Sequence, residues 1–181
     1  MIGLVAAALA GGLHAGIPVH GVAGVGEPTF LTATSGWTAS VEGGWVRVFV
    51  GASEADGDAW YDRAVATLGV TPPALAFADE AHGDGETLLA FRDGNVGVVV
   101  RVEAGARAVA ERLRAAIVDG GPSPVTPRIL RTAEGWACEA PGAVHVAVSG
   151  ARAVPFRPGL YAEAPREVVA WDTYGRATVA R

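Results

Sequence analysis

The sequence predicts an α+β protein: an antiparallel sheet built from two hairpin-helix units with both helices on one face, followed by a small all-β C-terminal segment. Three observations carry this. Two pairs of β-rich runs are each joined by a short glycine-containing turn, each pair is followed by apolar residues at helical spacing, and the remaining chain breaks into short apolar runs between glycines and prolines.

Thr38 to Val41 and Trp45 to Val50 form the first pair, turning through Glu42, Gly43 and Gly44. Ser53 is placed to cap a helix, with Asp56 three residues on, and Trp60, Ala64 and Leu68 follow along one helical stripe. Gly69 and the pair Pro72, Pro73 end it. The order then recurs. Thr87 to Arg92 and Val96 to Val102 turn through Asp93, Gly94 and Asn95, and Ala106, Val109, Leu113 and Ile117 mark a second amphipathic helix closed by Gly120, Gly121 and Pro122. Corresponding positions lie 51 to 53 residues apart, a repeat of architecture with little residue identity. Val96 to Val102 is apolar on both faces, as suits a central strand covered on two sides; Trp45 to Val50 carries Arg47 between Trp45 and Phe49, so one of its faces is wetter.

Gly121 to Pro127 reads GPSPVTP, which cannot be helical and marks a rigid connection. Beyond it, Ala143 to Val148, Arg152 to Phe156, Glu167 to Asp172 and Arg176 to Ala180 are spaced as in a small meander. A segment this short is marginal alone and is expected to pack on the first unit.

At the other end, Ile2 to Leu13 is an unbroken run of apolar and small residues. It has the length of a signal-peptide core and falls short of the roughly 20 residues that span a bilayer, so no permanent membrane span is expected. Gly21 and Ala23 flanking Val22 fit cleavage after Ala23; a cut after Ala15 fits less well because Leu13 is bulky. No Lys or Arg precedes the run, and the alternative is that Ile2 to Gly16 is a buried element of the mature fold. The expected organisation is a signal peptide over 1–23, the α+β domain over 24–121, the connection over 122–127 and the β-rich segment over 128–181, with a secreted or periplasmic location.

Half the residues are apolar and 18% charged, enough hydrophobic material to fold. All 14 basic residues are arginines, the 19 acids leave a net charge of -5, and no basic cluster exists to neutralise successive phosphates, which argues against nucleic acid as a partner. Cys138 is the single cysteine, so no intramolecular disulfide forms; beside Trp136 it reads as a small buried apolar residue.

Two groups of side chains invite chemistry. Asp79, His82, Asp84 and Glu86, in the string ADEAHGDGE, offer oxygen and imidazole ligands to a divalent cation such as calcium or zinc, although their spacing matches neither an EF-hand nor a two-His zinc motif, and a solvated acidic loop is the better reading. Trp171, Asp172 and Tyr174 place two aromatic rings beside an acid, an arrangement that stacks on a sugar or flat ligand; the plainer reading is a buried Trp171 followed by an ordinary turn. Asp56 and Asp58 are explained by the helix start, and no G-x-S-x-G motif occurs. No cofactor is called for by any motif. The leader, the missing catalytic motifs and five tryptophans point to an exported, non-enzymatic binding or accessory module with a protein or glycan partner. A metal-assisted hydrolase built on the acidic loop and a structural envelope component are the alternatives.

Overall fold

The computed structural model describes residues 13–31, 35–68 and 73–181 of the chain. In chain order the elements are β1 (His14–Gly16), β2 (Thr29–Phe30), β3 (Gly36–Val41), β4 (Gly44–Val50), α1 (Glu54–Thr67), β5 (Glu80–Gly83), β6 (Leu88–Asp93), β7 (Val96–Val102) and α2 (Ala106–Ala115). There follow β8 (Val118–Asp119), β9 (Arg128–Thr132), β10 (Gly135–Glu139), β11 (His145–Ser149), β12 (Leu160–Tyr161), β13 (Glu167–Trp171) and β14 (Ala177–Ala180). The fold is mixed α and β, with sheet dominant and the strand pairs antiparallel. No helix among the described residues is long and apolar enough to cross a membrane.

The main sheet has six strands in the order β2-β3-β4-β7-β6-β5. β4 and β7 meet at its centre with Val46 opposite Val100, Val48 opposite Val98 and Val50 opposite Val96. Because side chains alternate along a strand, these valines share one face, joined by Trp37, Leu89 and Phe91. α2 lies there, burying Ala106, Val109, Ala110 and Leu113.

The other face takes α1, and the expectation that both helices share a face is corrected here. Trp60 and Tyr61 pack with Phe49, Ala90 and Val99, all of opposite parity to the core valines. The reason is a recess. Gly97 leaves a gap directly opposite Phe49, and the Trp60 ring fills it so closely that a Cβ on Gly97 would sit 2.5 Å from Trp60 Cε3. Trp60 also stacks on Phe49, with ring centroids 5.2 Å apart and planes within 4°. The valine face has no equivalent space, because Ile17, Val19 and Trp37 already occupy what α2 leaves open. Ser53 caps α1, its hydroxyl accepting the Asp56 N–H at 3.2 Å.

Ile17 and Val19 lie within the stretch that the sequence reading assigns to the leader. The part over 1–12 lies outside the described residues, but His14–Gly16 pairs with β8 after α2, and Ala15, Ile17 and Val19 are buried. The Val19 N–H donates to Thr173 O at 2.9 Å, and Asn95, itself buried, accepts the His14 N–H at 2.8 Å while donating to His14 O at 3.0 Å.

The C-terminal segment forms two three-stranded sheets, β11-β13-β14 and β12-β10-β9. The first is anchored to the body: Trp171 packs at a tilt on Phe30 and His145, and the Ala177 N–H donates to Ser35 Oγ at 3.0 Å. The second lies outside both apolar clusters, and the residues of β9, β10 and β12 are half-buried or exposed.

Candidate functional site

The four acidic-loop residues are not brought together. Asp84 turns into its own loop, accepting the N–H groups of Glu86, Thr87 and Leu88 at 2.8 to 2.9 Å and the Thr87 hydroxyl at 2.6 Å. The Thr87 hydroxyl, with those amides, holds its carboxyl well below the usual carboxylate range. Asp79 accepts the Gly94 N–H at 2.8 Å, at the turn between β6 and β7. Glu86 reaches the Gly105 N–H at the start of α2, at 3.4 Å. His82 points the other way: its Nδ1 shares a 2.8 Å hydrogen bond with Tyr61 Oη on α1. Strand alternation and the two helices thus draw the set apart, and no group of three ligating His, Cys, Asp or Glu side chains forms among the described residues.

Around Tyr61 lies a second polar group. Its hydroxyl is pushed above the ordinary tyrosine range by burial, with the Glu80 carboxylate adding to the shift. Arg92, half-buried, has Asp58, Asp79 and Glu80 carboxylates at 3.2, 3.8 and 3.9 Å, and donates to Gly94 O at 3.2 Å. One guanidinium thus draws in three carboxylates, and the group fastens α1 and the β6–β7 turn to the sheet.

The aromatic group near the C-terminus is equally occupied. Trp171 is fully buried and has no free face, and Asp172 is 4% exposed. Its carboxylate accepts the Tyr174 N–H at 2.9 Å, the Arg176 N–H at 3.0 Å and Arg176 Nε at 2.6 Å, which closes the turn between β13 and β14. Arg176 also donates to Pro122 O at 2.7 Å, tying the proline-rich connection to this turn, and its guanidinium lies 5.4 Å from the Tyr174 ring.

Two further surfaces carry the free chemistry. The first is the β12-β10-β9 sheet. Arg131, Trp136 and Tyr161 stand side by side across its three strands, and the Arg131 guanidinium lies 5.8 Å from the Trp136 ring. Leu130 is exposed on the same sheet, and Phe156, on the loop leading to β12, is fully exposed with a φ of 59°, a left-handed backbone that a bulky residue seldom adopts. Burial pushes the Cys138 thiol up, away from the reactive thiolate form.

The second is a cleft of about 260 Å³ between α1 and the β4–β7 face, lined by Trp45, Arg47, Trp60, Arg63, Ala64, Thr67, Leu68 and Val99. The Arg47 guanidinium lies 5.7 Å from the Trp45 ring, and Arg101 stands directly opposite Trp45 on β7. Among the described residues, every carboxylate within 4 Å of a guanidinium belongs to some other arginine, which leaves Arg47, Arg63 and Arg101 without an ion pair. The Arg47-x-Phe49 interruption of the strand pattern is the one sequence signal of this wetter face.

Compared with known protein families, curated proteins and solved structures, the chain matches none.

Proposed function

We propose that this chain is an exported, non-enzymatic binding or accessory module whose β12-β10-β9 sheet is completed by a protein partner. One observation carries the reading: a three-stranded sheet in which no residue is fully buried, although it holds Ile129, Leu130, Trp136, Leu160 and Tyr161, with Leu130 exposed and the other four half-buried. A sheet is stable when an apolar face packs on something. Here the chain's own cover is partial, and it leaves Leu130 and Phe156 exposed. A protein supplies the rest better than a glycan, because β9 is an edge strand with an unpaired outer edge, open to strand addition, and because Leu130 and Phe156 offer apolar anchors.

Export belongs to the same proposal and rests on the apolar run Ile2 to Leu13. The packing of Ala15, Ile17 and Val19 sets its condition: the working protein keeps its chain from His14 onward.

Hydrogen exchange tests the partner reading. In the purified chain the amides of β9, β10 and β12 exchange far faster than those of β4 and β7. Adding native envelope extract slows them, and the extract loses that effect on Leu130→Asp and Phe156→Ser, whose own melting temperatures stay at the parent value. Full protection of these strands in a purified monomer would refute the proposal. Protection accompanied by dimers or larger species in light scattering would instead establish a self-assembling structural component.

A further inference from the structure

The geometry points to a small-molecule site in the cleft between α1 and the β4–β7 face, with a small aromatic carboxylate, one ring bearing a short acid arm, as its ligand class. This rests on the cleft alone and stands whether or not the C-terminal sheet has a partner. Trp45 is half-buried, presenting ring surface to the cleft while its body is held in the α1-side cluster. Trp60 is locked in place by its stack on Phe49 and by the Gly97 recess, so the apolar wall is rigid. Arg47 and Arg63 approach from the sheet and from the helix, and neither has a carboxylate within 4 Å among the described residues.

Charge fixes the ligand's sign. In a chain with five more acids than bases, two unneutralised guanidiniums flanking one apolar recess favour an anion, and their planar forks match a carboxylate. Size fixes its class. A dry cavity of about 150 Å³ accommodates a benzene ring; at about 260 Å³ this cleft has room for one ring and a short acid arm. The ring lies against Trp45 and the acid meets Arg47 and Arg63, which converts the surplus positive charge into orientation.

The test is calorimetric titration of the full chain with phenylacetate as probe, alongside tryptophan emission. Phenylacetate binds, and phenylacetamide, which keeps the ring and loses the charge, binds at least about tenfold more weakly. Acetate, which keeps the charge and loses the ring, is similarly weak. Arg47→Gln and Arg63→Gln each weaken phenylacetate binding by about tenfold, while Arg112→Gln, remote from the cleft on α2, binds as the parent does. Both cleft arginines are exposed, so an unchanged melting temperature certifies the fold of each variant. Equal affinity for acid and amide, parent-like binding by both cleft variants, or no heat at millimolar phenylacetate would each overturn the assignment.

Discussion

Removing the chain up to Ala23 is the perturbation that separates a discarded leader from a structural segment. A chain beginning at Gly24 lacks β1, Ile17 and Val19, whereas one beginning at Leu13 keeps them. Ile17 is 0% and Val19 2% exposed, and withdrawing two such side chains forfeits about 3 to 6 kcal/mol of burial. Loss of His14 also strips the buried Asn95 side chain of two hydrogen bonds, leaving it only the one it donates to Gly51 O. Leaving those polar atoms unpaired costs a further ~1 to 3 kcal/mol. Against a total stability of about 5 to 15 kcal/mol, the shorter chain is close to unfolded. Urea denaturation followed by tryptophan emission reads the difference: the midpoint of the Gly24 chain falls by about 2 M or more relative to the Leu13 chain. Ile17→Ala in the longer chain gives the milder version, about 2 to 5 kcal/mol. Equal midpoints for the two chains would refute the packing argument, as would sequencing a folded native protein from its host and finding Gly24 as its first residue.

Two further outcomes follow from the same structure. Gly97→Ala forces a Cβ into the Trp60 ring and destabilises by about 1 to 3 kcal/mol, seen as a lowered melting temperature and a shifted tryptophan emission, and the double variant Gly97→Ala, Trp60→Leu recovers part of it. Asp84 gives a pH dependence of known sign: its carboxyl lies below its unfolded value, so the stability it lends the β5–β6 turn is full above the ordinary aspartate range and is lost as pH falls through the depressed value. The Glu86, Thr87 and Leu88 amide resonances should move together at strongly acidic pH, and in Asp84→Asn that common titration should vanish; its persistence would show that another group drives it.

How far the fold is legible depends on which physics sets each part. Between Gly36 and Ala115 the strands β3, β4, β6 and β7 and both helices follow local rules, such as the Glu42-Gly43 turn, the Ser53 cap and the valine alternation, so their residues announce them, whereas β5 lies in the ADEAHGDGE string read as a loop. The face chosen by α1 is decided by a long-range fit between Trp60 and the gap at Gly97, and no local pattern states which glycine receives which ring. The two-sided apolarity of Val96–Val102 does register that fit, since a strand covered on both faces needs a layer on each. β9 and β10 escape notice for the opposite reason. They carry Arg128, Arg131 and Glu139, and with no face of the sheet fully buried the alternation that betrays a strand is weak.

The sites follow the same division. A carboxylate's neighbours in space are often its neighbours in sequence, so the ADEAHGDGE string looks like a ligand set when most of its members are closing turns. Arginines show the reverse. Seven of the 14 have no carboxylate within 4 Å among the described residues, in a chain where acids are in excess. Arg47, Arg63 and Arg101 surround Trp45, and Arg128 and Arg131 stand on β9, where Arg131 lies over Trp136. Trp37 and Trp171 are spent in the core and Trp60 in the Gly97 recess, so the two half-buried tryptophans are those beside unpaired guanidiniums. A guanidinium resting on an indole keeps its N–H donors directed outward and gives up little freedom on meeting an anion. Of these arginines, Arg47 lies over Trp45 and Arg131 over Trp136, and the proposed recognition at the cleft and at the β12-β10-β9 sheet rests on those two pairings.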